Sequence, residues 1–352
     1  MGRVTVLRDL IGIIKDKASQ GKAALVSIPK TLSLHLALLR ATTHDPFTPP
    51  DPKHLAALLS FGFSSRATAS TAIEALMDRL QTTRDASVSI KCLITVHHII
   101  KRGSFILQDQ LSVYPSAGGR NYLKLSNFRD NTTPLTWELS SWVRWYALYL
   151  ENLLSTSRVL GYFLCSTASG VDKDKEKKVT SLINSELLKE INSLVNLLEQ
   201  ISKRPDSSHA NGNILVDEVL GLVGEDYLSS INEVSIRVKE FRERLSCLSF
   251  VDSFELVCAL KRLEDCKERL LSLSQRKKVL IEAIWVLISE IKDQVGNGKV
   301  YREEGRLLTM GSRKMVSESA RFGERALNHS HDSVKFSSGR FLSYESVLES
   351  CA

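Results

Sequence analysis

The spacing of apolar side chains is the feature that most constrains how this chain can fold. Ile73, Leu76, Met77 and Leu80 stand at positions i, i+3, i+4 and i+7, which places them on one face of an α-helix. No segment shows the convincing polar–apolar alternation of a half-buried strand. Only 8 prolines and 18 glycines occur in 352 residues, which leaves room for long helices. These observations predict an all-α protein.

The apolar stretch over residues 88–101 predicts a central helix. Its letters, VSIKCLITVHHIIK, are apolar almost all round the helical circle, so neighbouring helices must bury it on several sides. Gly103 is expected to end this helix as a C-terminal cap. His97 and His98 are adjacent and point about 100° apart on a helix, which disfavours a shared metal ion. A hydrogen-bonded structural role is the favoured interpretation of both histidines.

Further apolar stripes divide the rest of the chain into helical segments. Trp142, Trp145, Tyr146 and Tyr149 form an aromatic stripe that we interpret as core packing rather than a cofactor site. Apolar residues that alternate by three and four predict three long helices farther on, and one more between the last two. These segments cover residues 187–201, 231–248, 256–270 and 281–291.

The composition predicts five consecutive regions. The letters SGVDKDKEKK, at residues 169–178, are charged and lack apolar anchors, which is typical of a solvated linker. The last residues are rich in Ser, Arg and Glu with only short apolar pieces, which favours disorder. The predicted regions are an N-terminal basic helix (1–24), a stack of helices (25–165), a charged linker (166–178), a helical bundle (179–295) and a mostly disordered tail (296–352).

Positive charge is concentrated near the N-terminus. The chain has a formal net charge of +7, and residues 1–54 hold eight Lys or Arg against four Asp or Glu. One interpretation is a solvated basic face; the other is a surface that meets an anionic partner. Nucleic acid is the weaker choice of partner, because the chain has no zinc-finger spacing, Arg/Lys-rich helix or ribonucleoprotein-type aromatic motif. An anionic membrane surface remains open.

The motifs of the common enzyme classes are absent from the sequence. It contains no phosphate-binding GxxxxGK[ST], no HExxH and no GxSxG, so we expect neither an enzyme nor a cofactor or metal site. None of the six cysteines forms a CxxC pair, which favours free thiols in a reducing compartment. The N-terminus lacks an uninterrupted secretory apolar region, since Arg8 and Asp9 break it, and no stretch reaches the length of a transmembrane span, so any membrane contact is expected to be peripheral.

A proline-rich loop between two apolar helices is the candidate binding site. Residues 40–55 read RATTHDPFTPPDPKHL, in which four prolines forbid regular helix. Arg40 and His44 approach from one flank, and Lys53 and His54 from the other. The N-terminus of the second helix is expected to add free N–H groups and a partial positive charge. The arrangement suits a phosphorylated headgroup, although a rigid loop with incidental charges has the same composition.

Several motifs together resemble the ANTH domain, a module of the ENTH/VHS superfamily. ATTH followed by a proline-containing loop and KHL is similar to the lipid-binding signature of this family. SIKCLITVHHIIKRG resembles the family's central helix, and YLKLSNFRD resembles its Leu-x-x-Phe-x-Asp turn. The resemblance is specific through about residue 165 and generic from there to about residue 295. The length is similar to that of the shorter, plant-type phosphatidylinositol-binding clathrin assembly proteins.

The resemblance implies a fold and a function. Members form a right-handed superhelix of α-helices followed by a long-helix bundle, and they bind phosphatidylinositol 4,5-bisphosphate on an exposed basic patch. Carried onto this sequence, the headgroup residues are Arg40, Lys53 and His54, with His44 from the loop. The implied partners are the phosphoinositide membrane, clathrin heavy chain, vesicle SNAREs and clathrin adaptor complexes. The implied setting is the cytoplasmic face of clathrin-coated pits and vesicles, at the plasma membrane or the Golgi apparatus, during endocytosis and vesicle budding.

The chain departs from the family pattern in its loop and its tail. The loop is one residue longer, and Asp51 stands where the family has a lysine. Exchanging a cation for an anion near a membrane loses about 2 kcal/mol, or roughly thirtyfold in affinity. Lys15, Lys17, Lys22 and Lys30 are expected to compensate non-specifically. The alternative interpretation is therefore a helical protein-binding scaffold with a weakened lipid site.

Overall fold

The all-α prediction is confirmed by a computed structural model of the chain. The structure describes residues 2–27, 29–114, 121–164, 172–206, 212–273 and 278–296. Within these residues there are thirteen α-helices, two short 3₁₀ turns and no strand. All of them belong to one unit that spans residues 1–300, and the predicted tail beyond residue 296 lies outside the described residues.

The helices follow one another with short connections. Their bounds are α1 Gly2–Val26, α2 Pro29–Ala41, α3 Pro52–Ser60, α4 Arg66–Thr82, α5 Ala86–Arg102, α6 Phe105–Ser112, α7 Pro134–Leu160, α8 Asp172–Ser181, α9 Asn184–Ser202, α10 Ile214–Arg244, α11 Phe250–Asp265, α12 Lys267–Leu271 and α13 Lys278–Gly296. The 3₁₀ turns are Phe61–Phe63 and Leu245–Cys247.

Local capping interactions determine where the central helices begin and end. The side chain of Asp85 accepts hydrogen bonds from the backbone N–H groups at the start of α5, and Gly103 follows the last helical residue. Thr133 and Thr136 form a capping box at the start of α7, where Pro134 occupies the first helical position. Gly161 ends α7 with φ of 78°, a conformation that glycine adopts without strain.

The α5 helix lies at the centre of the first half of the superhelix. Every residue from 86 to 101 is buried, because α5 packs against α4, α6, α7 and α10. The α9 helix has the corresponding place farther on, where it packs against α7, α10, α11 and α12. At the other end of the chain, α1 packs on α2 and α2 packs on α3. The proline-rich loop connects α2 to α3.

A buried polar cluster joins α10 to α5 and α7. The carboxylate of Asp226 lies 2.6 Å from Nε2 of His97 and accepts hydrogen bonds from Lys101 and the hydroxyl of Tyr149. Burial alone would raise the pKa of Asp226, but His97, Lys101 and Tyr149 hold that pKa well below its ordinary value. The His97 ring also bonds Tyr146, so the predicted hydrogen-bonded role of this histidine is confirmed.

Two sequence predictions differ from the structure in position. Residues 172–178, which we predict as part of a charged linker, form most of α8. This helix is held by its last turn, where Val179 is buried and Lys178 donates a hydrogen bond to the carbonyl of Leu160. The N-terminal helix extends two residues past the predicted bound, to Val26.

Candidate functional site

The proline-rich loop is held by side chains from α4 and α5 and from the residue that caps α10. Arg79 of α4 donates to the carbonyl of Thr42 at 2.6 Å. Lys91 of α5 donates to the hydroxyl of Thr43 at 2.8 Å. Asn213, the N-cap residue of α10, donates to the carbonyl of Pro46 at 3.1 Å. The backbone of the loop is therefore fixed before any ligand binds.

Lys91 places a buried amine directly beneath the loop. Its side chain is 0% exposed, and this burial lowers its pKa to about 8 despite the opposing attraction of Asp45, Asp16 and Asp85. A buried ammonium needs hydrogen-bond and charge partners, which Thr43 and these carboxylates supply. We infer that Lys91 supports the loop and does not reach a ligand at the surface.

Asp45 shapes the exposed tip of the loop. Its carboxylate accepts the N–H of Phe47 at 2.9 Å and the hydroxyl of Thr48 at 2.7 Å, a local turn of the kind that Asp favours. Burial raises the pKa of Asp45, but the hydrogen bonds from Thr48 and Phe47 outweigh it and lower the pKa below its ordinary value. The tip therefore carries a negative charge at neutral pH.

The predicted free N-terminus of α3 is wrong. Asp51 is the N-cap residue, and its side chain accepts the N–H of Lys53 at 2.7 Å. Pro52 occupies the first helical position and has no N–H to offer, and α3 thus begins inside the segment that its prolines were expected to keep non-helical. A carboxylate already occupies the place that a phosphate would take at this helix end. Asp51 is thus a structural cap as well as a negative charge at the candidate site.

His44 is held by α1. Its Nδ1 lies 2.6 Å from one carboxylate oxygen of Asp16, and its backbone N–H donates to the other at 3.1 Å. Gly12 lies one turn before Asp16, and a Cβ there would stand 3.2 Å from the Cβ of His44. The close approach of α1 to the loop therefore leaves little room for a larger side chain at this position. An anion that binds His44 must displace or share Asp16.

The other predicted site residues lie on two neighbouring helices. Arg40 is exposed in the last turn of α2, and Lys53 is exposed in the first turn of α3, which packs against α2. His54 is half-buried beside Lys53. No residue in the described part of the chain forms an ion pair or hydrogen bond with the side chain of Arg40 or Lys53. Both cations are therefore available to an anionic ligand.

The α1 helix carries apolar side chains that are exposed to solvent. Between residues 10 and 25, where its side chains are described, the half-buried residues are small or polar: Gly12, Asp16, Ser19, Gln20 and Ala23. Its exposed residues include a stripe at spacings of four, four and seven: Leu10, Ile14, Ala18 and Leu25. Lys15, Lys17 and Lys22 are exposed on the two flanks of this stripe.

The apolar side of α1 continues onto the loop. Ile13 of α1 and Phe47 of the loop line one cavity of about 250 Å³, and about half of the Phe47 side chain is exposed. Among the described helices, none combines the length and apolar character that a membrane span requires. The same residues contain no group of three or more His, Cys, Asp or Glu that would hold a metal ion.

Four residues that shape the loop were not predicted from the sequence. They are Asp16, Arg79, Lys91 and Asn213, which lie between 28 and 167 residues from their partners in the loop. A polar residue within an apolar run is the only local signal, and it marks Lys91 alone. The other three partnerships depend on helix packing that the local sequence does not specify.

Comparison with known proteins identifies the family. The family model described as the ANTH domain matches residues 33–229, which is more than half of the chain. Three proteins of Arabidopsis thaliana, each named "putative clathrin assembly protein", align with most of it. At4g40080 is 57% identical, over 97% of this chain and 96% of its own length. At5g10410 is 37% identical over 80% of this chain and 84% of its own length. At5g65370 is 35% identical over 83% of this chain and all of its own length. This chain therefore belongs to the ANTH-domain family of clathrin assembly proteins.

Proposed function

We propose that this protein is a peripheral membrane adaptor that binds phosphatidylinositol 4,5-bisphosphate through Arg40, Lys53 and the adjoining histidines. It connects that membrane to a clathrin coat during vesicle budding. Clathrin heavy chain is the proposed coat partner because the relatives carry clathrin assembly in their names. Vesicle SNAREs, clathrin adaptor complexes, and sites at the plasma membrane and the Golgi apparatus are part of the proposal on family resemblance alone.

The outward apolar stripe of α1 is the observation that carries the membrane part of the proposal. Ile14 is 65% exposed and Leu25 is 89% exposed, with lysines on both flanks. A helix with this pattern lies in the membrane interface, where its apolar side chains enter the acyl boundary and its lysines meet anionic headgroups. The contact of Asp16 with His44 places α1 beside the proposed headgroup loop.

The electrostatics of the loop favour weak headgroup selectivity. From Arg40 to His54 the chain carries two cations, Arg40 and Lys53, and two carboxylates, Asp45 and Asp51. Each charge near an anionic membrane is worth about 1 kcal/mol, so the loop gains little net attraction. Lysines of α1 supply the remaining attraction without selecting a particular headgroup.

A second candidate function is a protein-binding scaffold with a weakened lipid site. Two observations favour it: His44 is engaged by Asp16, and Asp51 occupies the N-terminus of α3. Both remove positive groups that a phosphate would otherwise contact. On this alternative, the helices beyond α8 bind a helical partner and the loop has only a structural role.

Cosedimentation of the full chain with vesicles distinguishes these functions. The vesicles contain a few per cent phosphatidylinositol 4,5-bisphosphate, or enough phosphatidylserine to give the same net charge. Wild type is compared with Arg40→Ala/Lys53→Ala and with the charge-matched control Lys189→Ala/Lys261→Ala, which removes two exposed cations from α9 and α11. The loop variant is expected to bind about thirtyfold more weakly, with no change in the control.

Three other outcomes of this experiment would change the conclusion. Equal losses in both double variants would reduce the interaction to general electrostatics. Equal wild-type binding to the two vesicle types would remove the proposed headgroup selectivity. No binding of the wild type to either vesicle would overturn the lipid-directed function and leave the scaffold.

A further inference from the structure

We propose that Thr48 is a phosphorylation site for a proline-directed protein kinase, and that phosphate on Thr48 releases the loop from an anionic membrane. The second half of this proposal rests on the proposed function; the first does not. The modification transfers the γ-phosphoryl group of ATP to the Thr48 hydroxyl oxygen. ADP leaves, and the hydroxyl proton passes to the catalytic carboxylate of the kinase.

The structure presents Thr48 at the tip of the loop. Pro46 and Pro50 are buried, whereas Phe47 and Thr48 between them are exposed and Pro49 is half-buried. Residues 48–50 have no helical or strand conformation. A proline directly after Thr48 also restricts its backbone to extended conformations. Proline-directed kinases accept a threonine that is followed by proline, and the exposed Thr48–Pro49 pair meets this condition, with a backbone that Pro49 biases toward the extended form.

The chain contains one other Thr–Pro pair, and the structure makes it a poor acceptor. Thr133 and Pro134 begin α7, where the Thr133 side chain accepts the N–H of Thr136 at 3.1 Å. Thr133 is half-buried and the residues after it are helical. A kinase would have to unwind the first turn of α7 to reach it. No Ser–Pro pair occurs in the sequence, so Thr133 serves as an internal control.

Phosphate on Thr48 would change the electrostatics of the loop. The Thr48 hydroxyl now donates to Asp45 at 2.7 Å, and a phosphate would replace this hydrogen bond with repulsion between anions. It would add about two negative charges to a loop whose two cations are already balanced by Asp45 and Asp51. The expected loss of affinity for an anionic vesicle is about thirtyfold.

The test treats the full chain with ATP and a recombinant mitogen-activated protein kinase, and locates the phosphate by peptide mass spectrometry. Thr48→Val, which keeps the branched shape without the hydroxyl, receives the same treatment. The expected result is one phosphate on Thr48, none on Thr133, and none on the Thr48→Val variant. Phosphate on Thr133 but not on Thr48, or on neither, would overturn the site assignment.

Cosedimentation with vesicles of phosphatidylcholine and a few per cent phosphatidylinositol 4,5-bisphosphate then tests the consequence. Phosphorylated wild type is expected to bind about thirtyfold more weakly than untreated wild type, whereas kinase treatment leaves Thr48→Val unchanged. Unchanged binding of the phosphorylated protein would overturn the proposed release. Absence of binding by the untreated chain would overturn both the release and the proposed function, while the mass measurement still decides the site.

Discussion

Asp51 combines two roles that substitution can separate. Its side chain caps α3 by accepting the backbone N–H of Lys53. Its negative charge also lies near the side chain of Lys53, one of the proposed headgroup residues. Asparagine caps a helix about as well as aspartate but carries no charge. Alanine removes the charge and the cap together. The variants Asp51→Asn and Asp51→Ala therefore differ only in the capping hydrogen bond.

The structure gives different magnitudes for the two variants. Both remove one negative charge from the proposed membrane-facing loop, which is worth about 1 kcal/mol and is expected to raise vesicle affinity about fivefold. Asp51→Asn should leave the free energy of unfolding within about 0.5 kcal/mol of wild type. Asp51→Ala should lower it by about 1 kcal/mol, because the N–H of Lys53 loses its acceptor. The corresponding fall in Tm is about 2–4 °C.

Two measurements on the same samples test this reasoning. Vesicle cosedimentation at fixed salt reports affinity, and thermal unfolding followed by circular dichroism reports stability. Asp265→Asn, which removes an exposed charge at the end of α11, is the matched control and should change neither by a measurable amount. The capping argument is refuted if Asp51→Ala unfolds at the wild-type temperature. The electrostatic argument is refuted if Asp51→Asn binds vesicles no more tightly than wild type.

Three further predictions concern the interior and the helix ends. Asp226→Ala should lower the free energy of unfolding in urea by about 3–5 kcal/mol, because it removes the buried carboxylate that binds both His97 and Lys101. Burial lowers the folded-state pKa of Lys91 to about 8, below the ordinary value of about 10.4, so the unfolded chain binds this proton more tightly. Wild-type stability relative to Lys91→Met should therefore rise between about pH 8 and pH 10 in denaturant titrations. Gly161→Ala, at φ of 78°, should destabilise by about 1–2 kcal/mol, whereas Gly221→Ala within α10 should stabilise by up to about 1 kcal/mol in thermal unfolding.

The helices were predictable because their periodicity is local. Residues 88–101 are apolar almost all round, and the helix found there runs from Ala86 to Arg102. Segment 172–178 was not predictable in the same way, since α8 has charged residues over most of its length and its buried residue Val179 stands near its end. Its helical state depends on contacts with α10 and with the end of α7, and neither contact leaves a periodic signal in the sequence.

The charged residues of the candidate site were predictable from the sequence, but their hydrogen-bond partners were not. The sequence places Arg40, Lys53 and two histidines around a proline-rich loop, and the structure leaves the first two exposed and unpaired with other described residues. His44 finds its partner 28 residues away on a different helix, which no local pattern indicates. Asp51 did carry a readable signal, because an Asp followed by Pro is typical of a helix start.

The stability of the helical fold and the proposed affinity of the loop for an anionic ligand depend on different residues. Asp226 and His97 are fully buried and tie α10 to α5, so their loss is expected to act on folding. Arg40 and Lys53 are exposed side chains whose removal breaks no hydrogen bond or ion pair among the described residues, so their loss is expected to act on binding. Between these extremes, Asp51 adds a negative charge to the loop and also caps α3, so its loss is expected to act on both binding and folding. Substitutions at the exposed cations are therefore expected to change the proposed binding one charge at a time, while the buried cluster keeps the helices of the ANTH domain in place.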